Sequence, residues 1–423
     1  MSSIDINFDN LVDVSPERHN KGSLSIHPYF GKLDPALARA LIERFSHPGN
    51  IVLDPFCGSG TVLFETVLAR RTAVGWDSSP LAILLSKAKL LGLKEVEKNE
   101  LMLLKQELDL YSEKQPPLLK KTIPTGLGKV PAMPRVRDVN SWFEPYALSE
   151  LSFLQHYLAK KKKKMSPAAK ILSTVAFSRI IVSASNQQGE SSYKRVEKST
   201  YPGRVISLYT DALSKVISGA SKFQELISEF EFSEGRSFNQ DKYYSEIRWK
   251  DLSVMLHMYD TRSGRSPIKP DKPLADLVVS SPPYLMSWDY GLYHKFRFYW
   301  LGYDLDKYEE TEIGRHLRRK KDDVENYIES MTGAFHSMDD ALKKDAYIIL
   351  VNAPSIVYGK EVDTNKLLED CAKNTGWKMV KCIQSLDIPG PHHGMYASLN
   401  SRKAKAPGKS GKKEHVLIFQ RHH

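Results

Sequence analysis

The chain has few cysteines: Cys57, Cys371 and Cys382 in 423 residues. Three thiols make no framework of bridges and show no zinc-ligand spacing, so a reducing compartment is expected. No apolar run reads as long enough to span a membrane, and the polar stretch Ser2 to Asn10 has no signal-peptide pattern. Internal repeats are missing too. Acidic residues are outnumbered, 50 Asp and Glu against 61 Lys and Arg, for a net charge of +11. That balance suits a polyanionic partner.

Against this background one stretch organises the chain, Ile51-Val-Leu-Asp-Pro-Phe-Cys-Gly-Ser-Gly-Thr61. Ile51 to Leu53 reads as a buried parallel strand and Val62 to Leu68 as the start of a helix. Gly58 and Gly60 between them let the backbone turn sharply and lie close to a ligand. The next strand, Thr72 to Trp76, ends in Asp77, seventeen positions after Gly60. This is close to the spacing at which a second-strand carboxylate reaches a ribose diol. Leu63 stands where the third glycine of the dinucleotide fingerprint would be, so a nucleoside without a pyrophosphate fits better.

A second motif follows another apolar strand: Leu277-Val-Val-Ser-Ser-Pro-Pro-Tyr284. The prolines fix φ and lack N–H donors, so Ser281 and the adjacent carbonyls become rigid polar groups beside an aromatic plate.

At these residues the sequence resembles the S-adenosylmethionine-dependent amino-methyltransferases that modify cytosine N4 or adenine N6 in DNA. Asp54 to Gly60 is similar to their cofactor motif and Ser281-Pro282-Pro283-Tyr284 to their catalytic motif. The likeness extends to His27-Pro-Tyr-Phe-Gly-Lys32 and to Trp288-Asp289-Tyr290. It implies S-adenosyl-L-methionine bound by Asp54, Phe56, Gly58, Gly60, Thr61, Asp77 and Ser78, with Asp54 near the ammonium of the methionine moiety. Tyr29 and Lys32 would pack over the methionine end, although Tyr29 and Phe30 would equally serve to cover the sheet edge. The Ser-first motif goes with cytosine N4 and an Asp-first version with adenine N6.

The expected fold is α/β, a Rossmann-like methyltransferase sheet with a C-terminal antiparallel hairpin and a mostly helical insertion. Residues 1–93 carry the cofactor motif, 94–239 form the insertion and 240–423 return to the catalytic domain. Tyr243 to Trp249 reads as the third strand, ending in Asp251; the family places a carboxylate there against the cofactor's adenine, and an ordinary loop aspartate is the other reading. Lys378 to Ile383 and His415 to Gln420 read as a closing hairpin.

The insertion contains Ser185-Asn-Gln-Gln-Gly-Glu-Ser-Ser-Tyr-Lys-Arg195. Gln188 suits an adenine edge, while Lys194 and Arg195 suit phosphate or guanine, with Tyr193 beside them; the same stretch would also serve as a polar connector. His392 and His393, on the long connection Asp387 to Lys413, are further candidates for touching DNA. They lack carboxylate or cysteine partners, and no metal site is expected. The lysine run Lys160 to Lys164 reads as a solvated, mobile face.

The chemistry follows from the target. An exocyclic amine is a poor nucleophile because its lone pair is delocalised into the ring. Ser281 Oγ and the Pro282 carbonyl would accept its hydrogens at a fixed angle and favour the pyramidal nitrogen. The base must leave the duplex stack, and Tyr284 offers a face to receive it. Cytosine C5 methylation is excluded, because none of the cysteines follows a proline. The expectation is a cytoplasmic, prokaryotic DNA methyltransferase acting on double-stranded DNA beside a separate restriction endonuclease. Adenine-N6 methylation, guanine-N2 methylation of transfer RNA and an inactive DNA-binding protein are the alternatives.

Overall fold

The computed structural model describes residues 26–114, 129–228, 236–268, 274–315, 323–383 and 414–422. The chain runs through α1 (Pro35–Phe45), β1 (Ile51–Asp54), α2 (Thr61–Leu68), β2 (Thr72–Asp77), α3 (Pro80–Leu90) and α4 (Glu95–Lys114). Next come α5 (Val139–Trp142), α6 (Pro145–Lys162), α7 (Pro167–Ala184), β3 (Gln187–Gly189), β4 (Ser192–Arg195) and α8 (Arg204–Ser228). Strands β5 (Ser237–Gln240), β6 (Tyr244–Arg248), β7 (Ser253–Met258) and β8 (Ala275–Ser280) lead to α9 (Tyr290–Leu301), α10 (Leu305–Thr311) and α11 (Asp323–Ala341). The chain closes with β9 (Leu342–Asn352), β10 (Ser355–Val357), β11 (Lys360–Val362), α12 (Thr364–Lys373), β12 (Trp377–Ile383) and β13 (His415–Arg421).

Nine strands form one sheet in the order β12-β13-β9-β8-β1-β2-β7-β6-β5. The five central strands, β9 to β7, are parallel, and antiparallel strands extend both edges. From β1 the chain first builds outward through β2 to β7, then returns to β1's other side as β8. That reversal opens a crevice at the carboxyl ends of β1, β2 and β8, where ligands bind in open α/β sheets. The expected Rossmann-like sheet is therefore present, and so is the closing hairpin, β12 against β13.

Alternation along the strands sets the two faces. Val52, Leu277 and Val279 lie under α1, packed with Leu37, Leu41 and Ile42. Leu53, Val74 and Val278 face the opposite layer, with Met331 and Phe335 of α11 and Leu368 of α12. Several helices begin at a polar cap followed by proline: Asp34-Pro35, Ser79-Pro80 and Ser166-Pro167. The cap oxygen accepts an otherwise unpaired N–H, and proline presets φ.

The helices of the insertion share one continuous core with α2 and α3. Phe64 of α2 meets Phe223 of α8 with ring centroids 5.2 Å apart. Helix α7 departs from the expectation that no segment could span a membrane. Its 18 residues have a mean hydropathy of 1.3, and 72% of them are buried inside the protein. A helix apolar all round fits a site enclosed on all sides. The lysine run also differs from its reading as a mobile face. Lys160 to Lys162 form the last turn of α6, where cations suit the helix dipole, and Lys162 Nζ donates to Thr174 Oγ1 at 2.6 Å.

Candidate active site

The glycine turn is built by its neighbours. Gly58 and Gly60 take φ of +50° and +76°, the left-handed region. A Cβ on Gly60 would lie 2.8 Å from Ser86 Oγ, and one on Gly58 would lie 3.1 Å from the Tyr29 ring. The turn is thus closed from below by α3 and covered from above by Tyr29. Ser86 Oγ donates to the Gly58 carbonyl at 2.9 Å.

Asp77, at the end of β2, accepts from Gly58 N at 2.9 Å and from Ser79 N at 2.8 Å. A carboxylate has about four acceptor positions, so two remain for a ligand. Burial raises its pKa to about 6, against the pull of those two N–H groups. Ser78 stands half-buried beside it. Asp54, at the end of β1, is 3% exposed and accepts from Ser280 Oγ at 2.6 Å and Phe56 N at 3.2 Å. Burial raises it further, to about 7. Thr61, the first residue of α2, is buried with its hydroxyl near Lys89. These residues fit a nucleoside that carries positive charge: a buried carboxylate, Asp54, and a half-buried one, Asp77, flank the glycine turn.

The segment before the first strand lies over this turn. Tyr29 stacks on Tyr290 at 5.8 Å and on His294 at 5.4 Å, and Phe30 stacks on Trp288 at 6.0 Å. Tyr29 thus lies over the glycine turn, above Gly58. Lys32 is exposed, yet desolvation and the Arg179 guanidinium draw its ammonium down to about 8.

Ser281 to Tyr284 leave the carboxyl end of β8, next to β1. Ser281 Oγ donates to the Tyr284 hydroxyl at 3.3 Å. That hydroxyl lies 3.3 Å from both the Val351 carbonyl and Glu414 Oε1, and its single proton is shared between these two acceptors. The Tyr327 hydroxyl donates to the Pro283 carbonyl at 3.1 Å. The turn beyond is strained, with Met286 at φ +55°. Asp289 caps α9 through Leu292 N and takes both ends of Arg315. Glu312 accepts from the N–H groups of Tyr290 and Gly291. These acids fix the helix that carries Tyr290 and His294.

Asp251 is not part of this site. The third parallel strand is β7, whereas Tyr244–Arg248 is β6, antiparallel to it. Asp251 therefore sits in the turn between them, at the opposite end of the sheet. The carboxylate that follows the third parallel strand is Asp260, held by Arg262 at 2.7 Å, and Tyr259 N donates to the Asp77 carbonyl at 2.9 Å. An edge strand with an alternating pattern had the look of the third strand and displaced the assignment by one strand.

On the insertion, β3 and β4 form a hairpin on which Gln188, Lys194 and Arg195 are exposed. Tyr193 is different. Its ring lies 4.6 Å from Trp142 and under Lys295 Nζ, also at 4.6 Å, so it anchors the hairpin and offers no open face to a base. Lys198 and Arg204 are spent on the Val182 and Ser183 carbonyls. His392 and His393 lie outside the described residues. Among the described residues no group of three His, Cys, Asp or Glu is placed to hold a metal.

A connection not visible in the sequence joins hairpin to turn. Arg297, 0% exposed, donates to Glu190 Oε1 at 2.6 Å, to the Ser178 carbonyl at 3.0 Å and pairs with His294 Nδ1 at 3.0 Å. His27 Nε2 meets Ser178 Oγ at 3.0 Å. Burial and the Arg297 charge hold both histidines well below the usual range, hence neutral.

Residues 7–87 match the DNA methylase family of N6 and N4 enzymes. The Type II methyltransferase M.MjaII of Methanocaldococcus jannaschii is 37% identical over 86 residues, spanning 20% of this chain and 16% of that protein. Over this segment the chain is similar to the amino-methyltransferase family, and it spans about a sixth of the length of that relative. The matched segment contains the glycine turn, Asp54 and Asp77. Two solved structures are also similar, TrmN from Thermus thermophilus and the rRNA methyltransferase AviRa from Streptomyces viridochromogenes. Their TM-scores are 0.33 at 10% and 11% identity, over 95% of this chain and 52% and 93% of theirs. The Rossmann-like assignment of the sheet rests on its own strand order.

Proposed function

We propose that this protein transfers a methyl group from S-adenosylmethionine to the exocyclic N4 of a cytosine flipped out of double-stranded DNA. The observation that carries the reading is the adjacency of β1 and β8. It brings the glycine turn and Ser281-Pro-Pro-Tyr284 to one crevice, joined by the Ser280–Asp54 hydrogen bond. The cofactor, when bound, supplies an electrophilic methyl on a sulfonium.

The chain's own groups do the rest. Asp77 takes the ribose hydroxyls, and Asp54 faces the ammonium. Ser281 Oγ and the Pro282 carbonyl accept the amine hydrogens, which localises the nitrogen lone pair toward the methyl. Tyr284 stacks on the flipped base, its ring held by the Val351 and Glu414 contacts. The Ser-first motif favours cytosine N4, with adenine N6 as the other outcome. The exposed face of the β3–β4 hairpin reads DNA, and the activity protects host DNA beside a separate restriction endonuclease. Sequencing DNA from cells that express the protein, by a method separating N4-methylcytosine from N6-methyladenine, tests the reading. N6-methyladenine in place of N4-methylcytosine would move the target to adenine, and absence of both bases, with a folded protein, would reject the reading.

A further inference from the structure

Lys89 of α3 is 2% exposed. Its ammonium reaches two groups among the described residues, Ser59 Oγ and Thr61 Oγ1, each at 3.5 Å, the outer limit of a hydrogen bond. No acidic side chain there pairs with it. Glu65 attracts it through space, but that carboxylate is bonded to Arg39 Nε at 2.9 Å. A buried ammonium without a counter-ion is among the costliest groups a fold can keep. Burial and the nearby Lys32 accordingly hold its pKa well below the usual lysine range.

The place where the cation waits is informative. Ser59 belongs to the glycine turn, and Thr61 opens α2, whose first N–H groups and positive dipole end also favour an anion. The ligand of the proposed reaction carries one carboxylate. Asp54 and Asp77 are matched to its ammonium and its diol, which leaves that carboxylate in need of a cation. We propose that Lys89, together with the Ser59 and Thr61 hydroxyls and the start of α2, binds the α-carboxylate of the cofactor's methionine moiety. The proposal rests on the reading that this site holds S-adenosylmethionine. Lys89 is then a binding residue whose missing counter-ion arrives with the cofactor.

The test compares S-adenosylmethionine with its decarboxylated analogue by titration calorimetry on the full chain. Wild-type protein should prefer the carboxylate-bearing compound by about ten- to a hundredfold, the range of a charge-assisted hydrogen bond. Lys89→Met should bind the analogue as wild type does and lose most of that preference. Lys89→Gln, which keeps a polar contact with the two hydroxyls but no charge, should behave alike and serves if the methionine variant does not fold. The ligand-free Lys89→Met protein should melt no lower than wild type, because it deletes an uncompensated charge; a lysine that merely braced the turn would lower the melting temperature. An unaltered preference in both variants overturns the proposal. Equal affinity of the wild type for the two compounds overturns it as well, yet leaves the cofactor reading standing. If the wild type binds no S-adenosylmethionine at all, the cofactor reading falls and this proposal with it.

Discussion

The Ser280 hydroxyl donates to Asp54 Oδ1 at 2.6 Å, from one parallel strand to its neighbour. Asp54 opens the glycine turn and Ser280 directly precedes the Ser-Pro-Pro-Tyr motif. This single bond therefore ties the glycine turn to the Ser-Pro-Pro-Tyr turn. It also partly offsets the burial of a carboxylate that would otherwise be costlier still to ionise.

The pH dependence follows from that burial. Asp54 has its pKa raised to about 7 in the folded chain, above the value of roughly 3.9 for an unfolded aspartate. Its favourable contribution to folding is full below the unfolded value and is lost as pH rises through about 7. Ligand-free protein should thus lose stability between about pH 4 and 7 more steeply than Asp54→Asn does, by on the order of a few kcal/mol. Cofactor affinity should run the other way, since an ammonium needs the ionised acid. Calorimetry should show affinity falling below about pH 7, where Asp54 becomes protonated, and flat affinity across that range would remove Asp54 from the ammonium.

Asp77 and Asp251 make a matched pair for testing the cofactor's orientation. Asp77→Ala should weaken S-adenosylmethionine binding by about 1.5–3 kcal/mol, the range for hydrogen bonds to a charged group. Asp251→Ala, at the far end of the sheet, should leave affinity at the wild-type value. Equal losses in both would contradict the placement of the ligand at the carboxyl ends of the strands.

Which parts of this were legible beforehand has a physical pattern. Strands β1, β2 and β8 are short apolar runs buried on both faces, and such runs stand out in a sequence. The glycine turn is legible because positive φ restricts the residue type so strongly. The third strand was not, because β7 alternates buried Val254 and Leu256 with half-exposed neighbours, while the edge strand β6 carries a similar pattern. Contacts such as Glu190 with Arg297, or Glu414 with Tyr284, join residues more than a hundred positions apart. Nothing local in either partner marks them. Lys89 gave one faint sign, a lysine on the apolar stretch Leu81 to Leu91.

At the Ser-Pro-Pro-Tyr turn the ring and the hydroxyl of Tyr284 are separable. Tyr284→Phe loses the bonds to Val351 and Glu414 but keeps the plate, so appreciable methylation should persist. Tyr284→Ala should lose about 1–3 kcal/mol, the contribution of stacking on one base. Ser281→Ala should lower turnover with cofactor affinity intact. Single-turnover kinetics separates these effects, and a Ser281→Ala enzyme at full rate would leave only the backbone carbonyl as acceptor.

The β3–β4 hairpin offers the clearest separation of reading from folding. Gln188 and Arg195 are exposed on it, whereas Glu190, in its turn, holds the wholly buried Arg297. Arg195→Ala and Gln188→Ala should therefore lower methylation with melting temperature and cofactor affinity unchanged. Glu190→Ala should instead destabilise the fold by about 3–5 kcal/mol, because it strips the partner from a buried charge. It should loosen the cofactor site as well, since Arg297 pairs with His294, on which Tyr29 stacks above the glycine turn. Salt titrations of DNA binding then divide the two surface residues. A phosphate contact at Arg195 should reduce the slope of log affinity against log salt by about 1 for every sequence, whereas a base contact at Gln188 should relax the choice of site. Unchanged slope, affinity and methylation pattern in both variants would show that the hairpin only braces the cofactor site and that DNA is read elsewhere.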